Sequence, residues 1–324
     1  MTVPVATFQN FQSIGTREDL EDMIYNIAPT ETPFLSQLRK EKATAVLHEW
    51  QTDTLASANA NNNAIEGDNP TLTSVVPTVR LGNYAQISQY SFGISGTQMA
   101  VNNAGRKQEM AYQLVKYGKT LKRDMEAVLT QNQASSAGTS STARKTGSLE
   151  AWLSSNWTSL GSGGSPSSSG FQSGLVQAAV DNSVQGTVTE ASVKAIIRAC
   201  WTAGGNPEMI MTGPFNKTKV SAFSGIATQY NPLGGSAKPG VIIAAADVYV
   251  SDFGTHKVYP NRFQRDRTIF VLDMDYWAIA YLRPFQQKDL AITGDSLQKQ
   301  MLAEYTLVSK QQAASGKITD LTTT

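Results

Sequence analysis

Apolar residues recur along this chain in two rhythms, and the switches between them mark its segments. Near the start the spacing is helical. Leu20, Met23, Ile24 and Ile27 form one stripe behind Thr16, Asp19 stands at the capping-box position, and Ala28-Pro29 closes the run. Thr32-Pro33 opens a second short helix, with proline at its first position and Phe34, Leu35 and Leu38 on one side. Two short helices joined by proline turns have no core of their own, so residues 1–45 read as an arm that lies on another surface. Over residues 46–98 the period drops to two. Val46, His48, Trp50 and Thr52 alternate with Leu47, Glu49 and Gln51, and after the loop ASANANNNAIEGDNP strand-like stretches resume at Val75-Val76, Val79–Leu81 and Ala85–Ile94. This predicts a long two-stranded excursion with a loose tip. An isolated hairpin is barely stable in water, so it too needs a partner surface.

Residues 99–136 return to the helical period. From Ala104 to Asn132, the residues Met110, Leu114, Tyr117, Leu121, Met125 and Val128 recur every three or four positions. Burying such a stripe stabilises by roughly 1.5–3 kcal/mol per large side chain, which makes this helix the spine of the fold. Lys116, Lys119, Lys122, Arg123 and Glu126 fall off the stripe and are expected on a solvated face, with Lys122 and Glu126 as a helical ion pair. Residues 137–290 form a mixed lobe that opens with a Ser/Gly-rich surface insertion at 137–175. Its run GSGGSPSSSG is flexible by composition, and Leu149–Leu153 is apolar enough to be pinned to a core. Thr189 then caps a helix with Val193, Ile196, Ile197 and Cys200 on one face, ended by Gly204-Gly205. Strands follow at Met209–Thr212, on both sides of the turn Asp252–Thr255, at Thr268–Leu272 and at Tyr276–Leu282. A last strand near Gln300–Val308 lies in the C-terminal stretch 291–324. The whole is an α+β chain.

Composition narrows the function classes. At 324 residues the chain is long enough to bury a substantial core. Charged residues are 16% of it, against a usual ~25%, and Ser, Thr, Asn and Gln supply the remaining polarity. A net charge of +1 with no long run of one sign does not suit a protein that binds nucleic acid by neutralising many phosphates. No apolar stretch approaches the ~20 residues of a membrane span. The start, MTVPVATFQNFQSIG, lacks the basic and apolar blocks of a signal peptide, so synthesis in a cytoplasm is expected.

Little in the chain suggests catalysis. His48 and His256 are the only histidines and Cys200 the only cysteine, without HExxH or CxxC spacing. Cys200 sits on the apolar face of its helix, where a buried thiol is inert. Asp252-Phe253-Gly254 spells a kinase motif without its companion motifs and reads as a hairpin turn. Asp273 and Asp275 would share one face of a strand, but two carboxylates alone make a poor cation site. No catalytic, cofactor-binding or metal-binding residue is therefore expected.

The order of arm, long hairpin, spine helix, mixed lobe and returning strand resembles the HK97-like capsid subunit. Its N-arm, E-loop and A-domain correspond to residues 1–45, 46–98 and 137–290. Its P-domain corresponds to the spine helix in 99–136 and the return strand in 291–324. The local sequence is similar to the SU10-like major capsid proteins in Ile27–Phe34, Asn83–Ile87, Ala104-Gly105-Arg106, Leu121–Glu126, Ala143–Gly147, Ser251–Gly254, Gly294-Asp295-Ser296 and Glu304–Leu307. This resemblance implies a virion protein made in a bacterial host's cytoplasm, in which hexamers and pentamers of one chain build an icosahedral phage head around double-stranded DNA. E-loop and N-arm would reach over neighbours, with assembly contacts expected at Phe34, Leu38, Trp50, Ile65 and Leu72. The implied partners are a portal protein at one vertex, decoration proteins, and non-specific contact with the packaged DNA. A separate scaffolding protein is expected as well, because the arm begins too early to leave room for a fused one. The founding HK97 shell is locked by isopeptide bonds from an E-loop lysine to a neighbour's asparagine. Here no lysine occurs between Lys42 and Lys107, so a non-covalent lock is expected. An encapsulin-like nanocompartment shell, which shares the fold, is the alternative reading.

Overall fold

Two sheets share one hydrophobic core beneath a long helix in the computed structural model, which describes residues 29–67, 69, 72–101, 108–161, 169–223, 247–292 and 294–324. The helix predicted behind Thr16, the start of the spine helix at Ala104 and most of the run GSGGSPSSSG lie outside these residues. In chain order the first elements are α1 (Pro33–Gln37), β1 (Arg39–Lys42), β2 (Leu47–Thr52), β3 (Val79–Tyr84), β4 (Gln86–Ser95), α2 (Gly96–Ala100) and α3 (Glu109–Thr130). Then come α4 (Leu149–Trp152), β5 (Asn156–Ser159), β6 (Gly170–Gln172), β7 (Leu175–Gln177), α5 (Glu190–Thr202), β8 (Met209–Thr212) and α6 (Pro214–Ser221). The last are β9 (Val248–Ser251), β10 (Gly254–Pro260), β11 (Ile269–Leu272), β12 (Trp277–Asp289), β13 (Ser296–Ser309) and β14 (Gly316–Thr319).

The sheets are a four-stranded one in the order β1-β12-β13-β4, a six-stranded one in the order β5-β14-β11-β8-β10-β9, and the two-stranded ribbons β2-β3 and β6-β7. The central strands β8 (MIMT) and β11 (IFVL) are buried throughout, as continuous apolar runs are when both faces of a sheet are covered. On one face Met209, Met211, Phe270 and Leu272 pack with Leu121, Met125 and Leu129 of α3, and with Trp277, Ile279, Tyr305 and Leu307 of the four-stranded sheet. On the other, Ile210, Ile269 and Val271 pack with Val193, Ile196, Ile197 and Cys200 of α5. Thr189 and Ser192 form the reciprocal cap that starts α5, and Gly204, at φ +90°, ends it. The C-terminal half of α3 is the buried half. Further back the helix lies half-exposed against β4, where Tyr117 stacks on Phe92 at 4.8 Å.

Four expectations about these segments change. β4 pairs with β13 from Gln86 to Ser95, so it belongs to the four-stranded sheet and the excursion ends at Tyr84. The period of two runs unbroken from β3 into β4, and a period cannot report a change of partner. Within the excursion Val75-Val76 form no strand. β12 and β13 both lie in the four-stranded sheet, while β14 crosses back into the six-stranded one, so 137–290 and 291–324 each serve both sheets. The Ser/Gly-rich stretch 137–175 is only partly surface. Thr146, Ser148 and Leu149–Leu153 are buried, and the buried Ser169 donates to the Leu153 carbonyl at 2.9 Å.

Candidate assembly surfaces

The long hairpin of β2 and β3 projects from a clamped base. Asn83, fully buried, donates to the carbonyls of Gly147 (3.0 Å) and Leu307 (2.8 Å) and accepts from the Gly147 N–H at 2.8 Å. Gly147 has to be glycine, because a Cβ there would meet the Val176 Cβ at 2.6 Å. Gln86 Oε1 accepts from Thr146 N–H at 3.2 Å and from Gln133 Nε2 at 2.9 Å. Arg144 and Arg283 both pair with the buried Glu304, at 2.5 and 2.6 Å. Asn83–Ile87, Ala143–Gly147 and Glu304–Leu307, three of the segments that carried the family resemblance, therefore meet at one joint. Beyond it the tip stands free, with Leu55, Ile65, Leu72 and Val75 between 77% and 99% exposed.

The arm docks through a residue placed differently by the sequence. Glu126 was expected on the solvated face of the spine helix, yet it is fully buried. Its carboxylate accepts from the Phe34 N–H at 3.0 Å, the Leu35 N–H at 2.7 Å and Asn261 Nδ2 at 2.7 Å. Thr32, at the cap position of α1, makes no side-chain cap, so Glu126 satisfies the first orphan donors of that helix from across the core. Burial pushes the Glu126 carboxyl above the usual carboxylate range, against the pull of those hydrogen bonds. After α1 the chain adds β1 in parallel to β12, Arg39 to Lys42 against Ala278 to Tyr281.

A second buried charge group ties the insertion to the six-stranded sheet. Glu150 faces the Arg265 guanidinium at 3.1 Å, and Lys317 Nζ donates to the Glu150 carbonyl at 2.7 Å and to Ser169 Oγ at 3.3 Å. Burial raises the Glu150 pKa, and burial likewise lowers that of Lys317 to about 8. For Asp320, burial is outweighed by hydrogen bonds from Ser159, Asn182 and Arg267, which hold its carboxyl below the ordinary range.

The residues considered for chemistry have structural partners. His256 is buried between the Pro207 carbonyl (Nδ1, 2.5 Å) and Ser251 Oγ (Nε2, 2.7 Å), and burial lowers its pKa. The Cys200 thiol is pushed up to about 12 by burial. The turn at Asp252 and Phe253 joins β9 to β10, with Gly254 at φ +136°. Asp273 accepts from the Asn206 and Asp275 amides, while Asp275 pairs with Arg39 at 2.5 Å, so the two carboxylates are separately engaged rather than aimed at one ion. No cluster of three or more potential metal ligands occurs among the described residues, and no described helix is long and apolar enough to cross a membrane.

Of the five expected assembly contacts, Phe34 and Leu38 are spent inside their own subunit, 0% and 4% exposed against Leu121 and Met125. That corrects the expectation that they face a neighbour: an arm this apolar buries itself wherever its first turn can be capped, and Glu126 caps it. Trp50 is half-buried, donating from Nε1 to the Ser309 carbonyl at 2.9 Å with its ring 5.5 Å from that of Trp152, so it anchors the hairpin base. Ile65 and Leu72 remain exposed at the tip.

The same architecture occurs in solved capsids. This chain is similar to the Cyanophage A-1(L) capsid protein, with a TM-score of 0.65 at 14% identity over 97% of this chain and 99% of that one. It is also similar to a capsid chain of a native GTA particle, with a TM-score of 0.61 at 12% identity over 96% and 97%. The fold is the HK97-like α+β fold of phage capsid subunits. The chain belongs to the SU10 major capsid protein family, whose pattern matches residues 4–322. The major capsid protein of Escherichia phage Phieco32 is 36% identical to it over 127 residues, a match that spans 39% of this chain and 36% of that protein.

Proposed function

We propose that copies of this chain form hexamers and pentamers that close an icosahedral phage head around double-stranded DNA. The observation that supports this best is the hairpin of residues 47–84, rigidly clamped at its base and exposing Leu55, Ile65, Leu72, Val75 and Val76 at its far end. A lone subunit gains nothing from that apolar surface, whereas a neighbour beneath it covers it. In this reading residues 47–84 are the E-loop, the segment up to residue 45 is the N-arm, the four-stranded sheet with α3 is the P-domain, and the six-stranded sheet is the A-domain. Ile65 and Leu72 are tip contacts, and Trp50 positions the tip rather than touching the neighbour. The exposed Lys116, Lys119 and Lys122 of α3 suit non-specific contact with packaged DNA. A portal protein at one vertex, a separate scaffolding protein and decoration proteins complete the particle, and the role is structural rather than enzymatic. Synthesis takes place in the bacterial cytoplasm and the destination is the virion. The likeness to phage capsids favours this over a nanocompartment shell.

Electron microscopy of the purified chain, with its own scaffolding protein where one is encoded, should show closed shells with sixfold and fivefold clusters. Removing Leu55–Ile65 from the tip should abolish shells and leave the subunit's thermal melt unchanged. Shells that form as well without the tip would sink the reading.

A further inference from the structure

A strand edge without a strand partner and an exposed apolar segment outside any strand both occur among the described residues of this chain. β4 is the outer strand of the four-stranded sheet, paired with β13 on one side, and among the described residues no strand meets its other side. Its ten residues, at about 3.3 Å each, leave roughly 33 Å of open edge. Natural sheets blunt such edges with charge, proline, brevity or a covering element. The opposite edge of this sheet follows that rule, since β1 is only four residues long and all four, Arg39-Lys40-Glu41-Lys42, are charged. β4, QISQYSFGIS, has neither a charge nor a proline. At its C-terminal end lies a cleft of about 550 Å³, lined by Phe92–Ser95 of β4 and by Glu109, Gln113, Lys116 and Tyr117 of α3.

The unpartnered segment is Leu72-Thr73-Ser74-Val75-Val76. It is uncharged, three of its five residues (Thr73, Val75 and Val76) are β-branched, and it forms no secondary structure within the subunit. Leu72, Val75 and Val76 are 94%, 90% and 78% exposed. Five residues is an ordinary strand length, and Pro77, which lacks an N–H, stops the pairing. The segment cannot fold back onto its own β4. The six residues of β3 hold it about 20 Å from the base, and the Asn83 joint fixes that base.

We propose that residues 72–76 of a neighbouring copy join the free edge of β4 as a fifth strand, beside the cleft between β4 and α3. Strand addition of this kind takes affinity from main-chain hydrogen bonds and register from side-chain pockets. Neither β4 nor residues 72–76 carries a charge, and the Glu109 and Lys116 side chains that line the cleft belong to α3 rather than to the paired strands. The proposal rests on the reading that the long hairpin reaches over a neighbour, and it names the surface met there.

Engineered disulfides in assembled particles provide the test. Ser74→Cys is combined with Gln89→Cys or with Ser91→Cys, all exposed positions, while the native Cys200 is buried. After oxidation, a non-reducing denaturing gel of the particles should show linked dimers and higher species. Each single variant, and dissociated subunits of the double variants, should run as monomers. Double-cysteine shells that run wholly as monomers would overturn the proposal and leave the shell reading standing. Should the double variants fail to assemble, Ser74→Pro decides, because it removes a main-chain donor at an exposed position. Its subunit should melt like the parent while particle yield falls at least tenfold, and an unchanged yield would overturn the proposal. A parent chain that forms no particles in the microscope removes the shell reading, and this inference with it.

Discussion

An amine inside a strand must find oxygen atoms in place of water, and Lys317 finds two, the Glu150 carbonyl and Ser169 Oγ. The residue is 1% exposed, and burial lowers its pKa to about 8 from the ordinary 10.5. A lysine depressed in the fold favours the neutral amine there, so the cost of holding it charged is present in full below about pH 8. That cost is relieved as pH rises through 8 toward the unfolded value. Subunit stability should accordingly increase between pH 7.5 and 9.5, by up to ~1.4 kcal/mol per pH unit. Lys317→Met should flatten that rise. Thermal melts of the unassembled subunit at the two pH values check it, and an equal rise in the variant would show that another group titrates.

Between elements, the controlling contact is the one that docks the arm on α3. Replacing Glu126 by alanine leaves the Phe34 and Leu35 amides and Asn261 Nδ2 without their acceptor. An abandoned buried donor costs about 1–3 kcal/mol. The arm should answer by peeling away, since α1 is a single five-residue turn with no other cap. Trypsin should then cut at Arg39 and Lys40 at least tenfold faster than in the parent, with the remaining body intact; parental cutting rates would show that apolar packing alone holds the arm. This contact also shows where sequence reasoning stopped. Pro33 and the Phe34/Leu35/Leu38 face of α1 were legible from local chemistry, as were the α5 stripe and its caps. The partner of α1 lies 92 positions away, and on the helical wheel Glu126 belongs with the lysines. Only the crossing of α1 over α3 turns that position inward. β14 escaped for a related reason. In Gly316–Thr319 only Ile318 is apolar, yet all four residues are buried because Glu150, Ser169 and neighbouring strands satisfy the polar ones. The hairpin joint was visible as three short motifs and not as one place, because spacing along a chain does not tell which segments meet.

At the scale of the whole molecule, the division of labour between rigid and unfinished parts bears on how a shell of these subunits would be locked. The core ties both sheets, α1, α3 and α4 into one body, while the most exposed large apolar side chains among the described residues, Leu55, Ile65, Leu72, Val75 and Val76, stand at the hairpin tip. Covalent locking in the manner of the founding HK97 shell needs an amine at that tip, and the stretch between Lys42 and Lys107 contains none. The asparagines there, Asn59, Asn61, Asn62 and Asn63, carry amide nitrogens whose lone pairs are delocalised, so they do not replace a lysine as nucleophile. Lys42 itself is held in β1 against Tyr281 of β12, on the far edge of the four-stranded sheet from β4. Shells of this chain should therefore be held by area and strand pairing, and interfaces well above ~1,000 Å² suffice for that. Mature particles boiled in detergent should run as one band at the monomer mass of 34.9 kDa. A ladder of linked subunits would place a reactive amine at the contact and send the search to lysines outside the hairpin, beginning with Lys42 and the exposed lysines of α3.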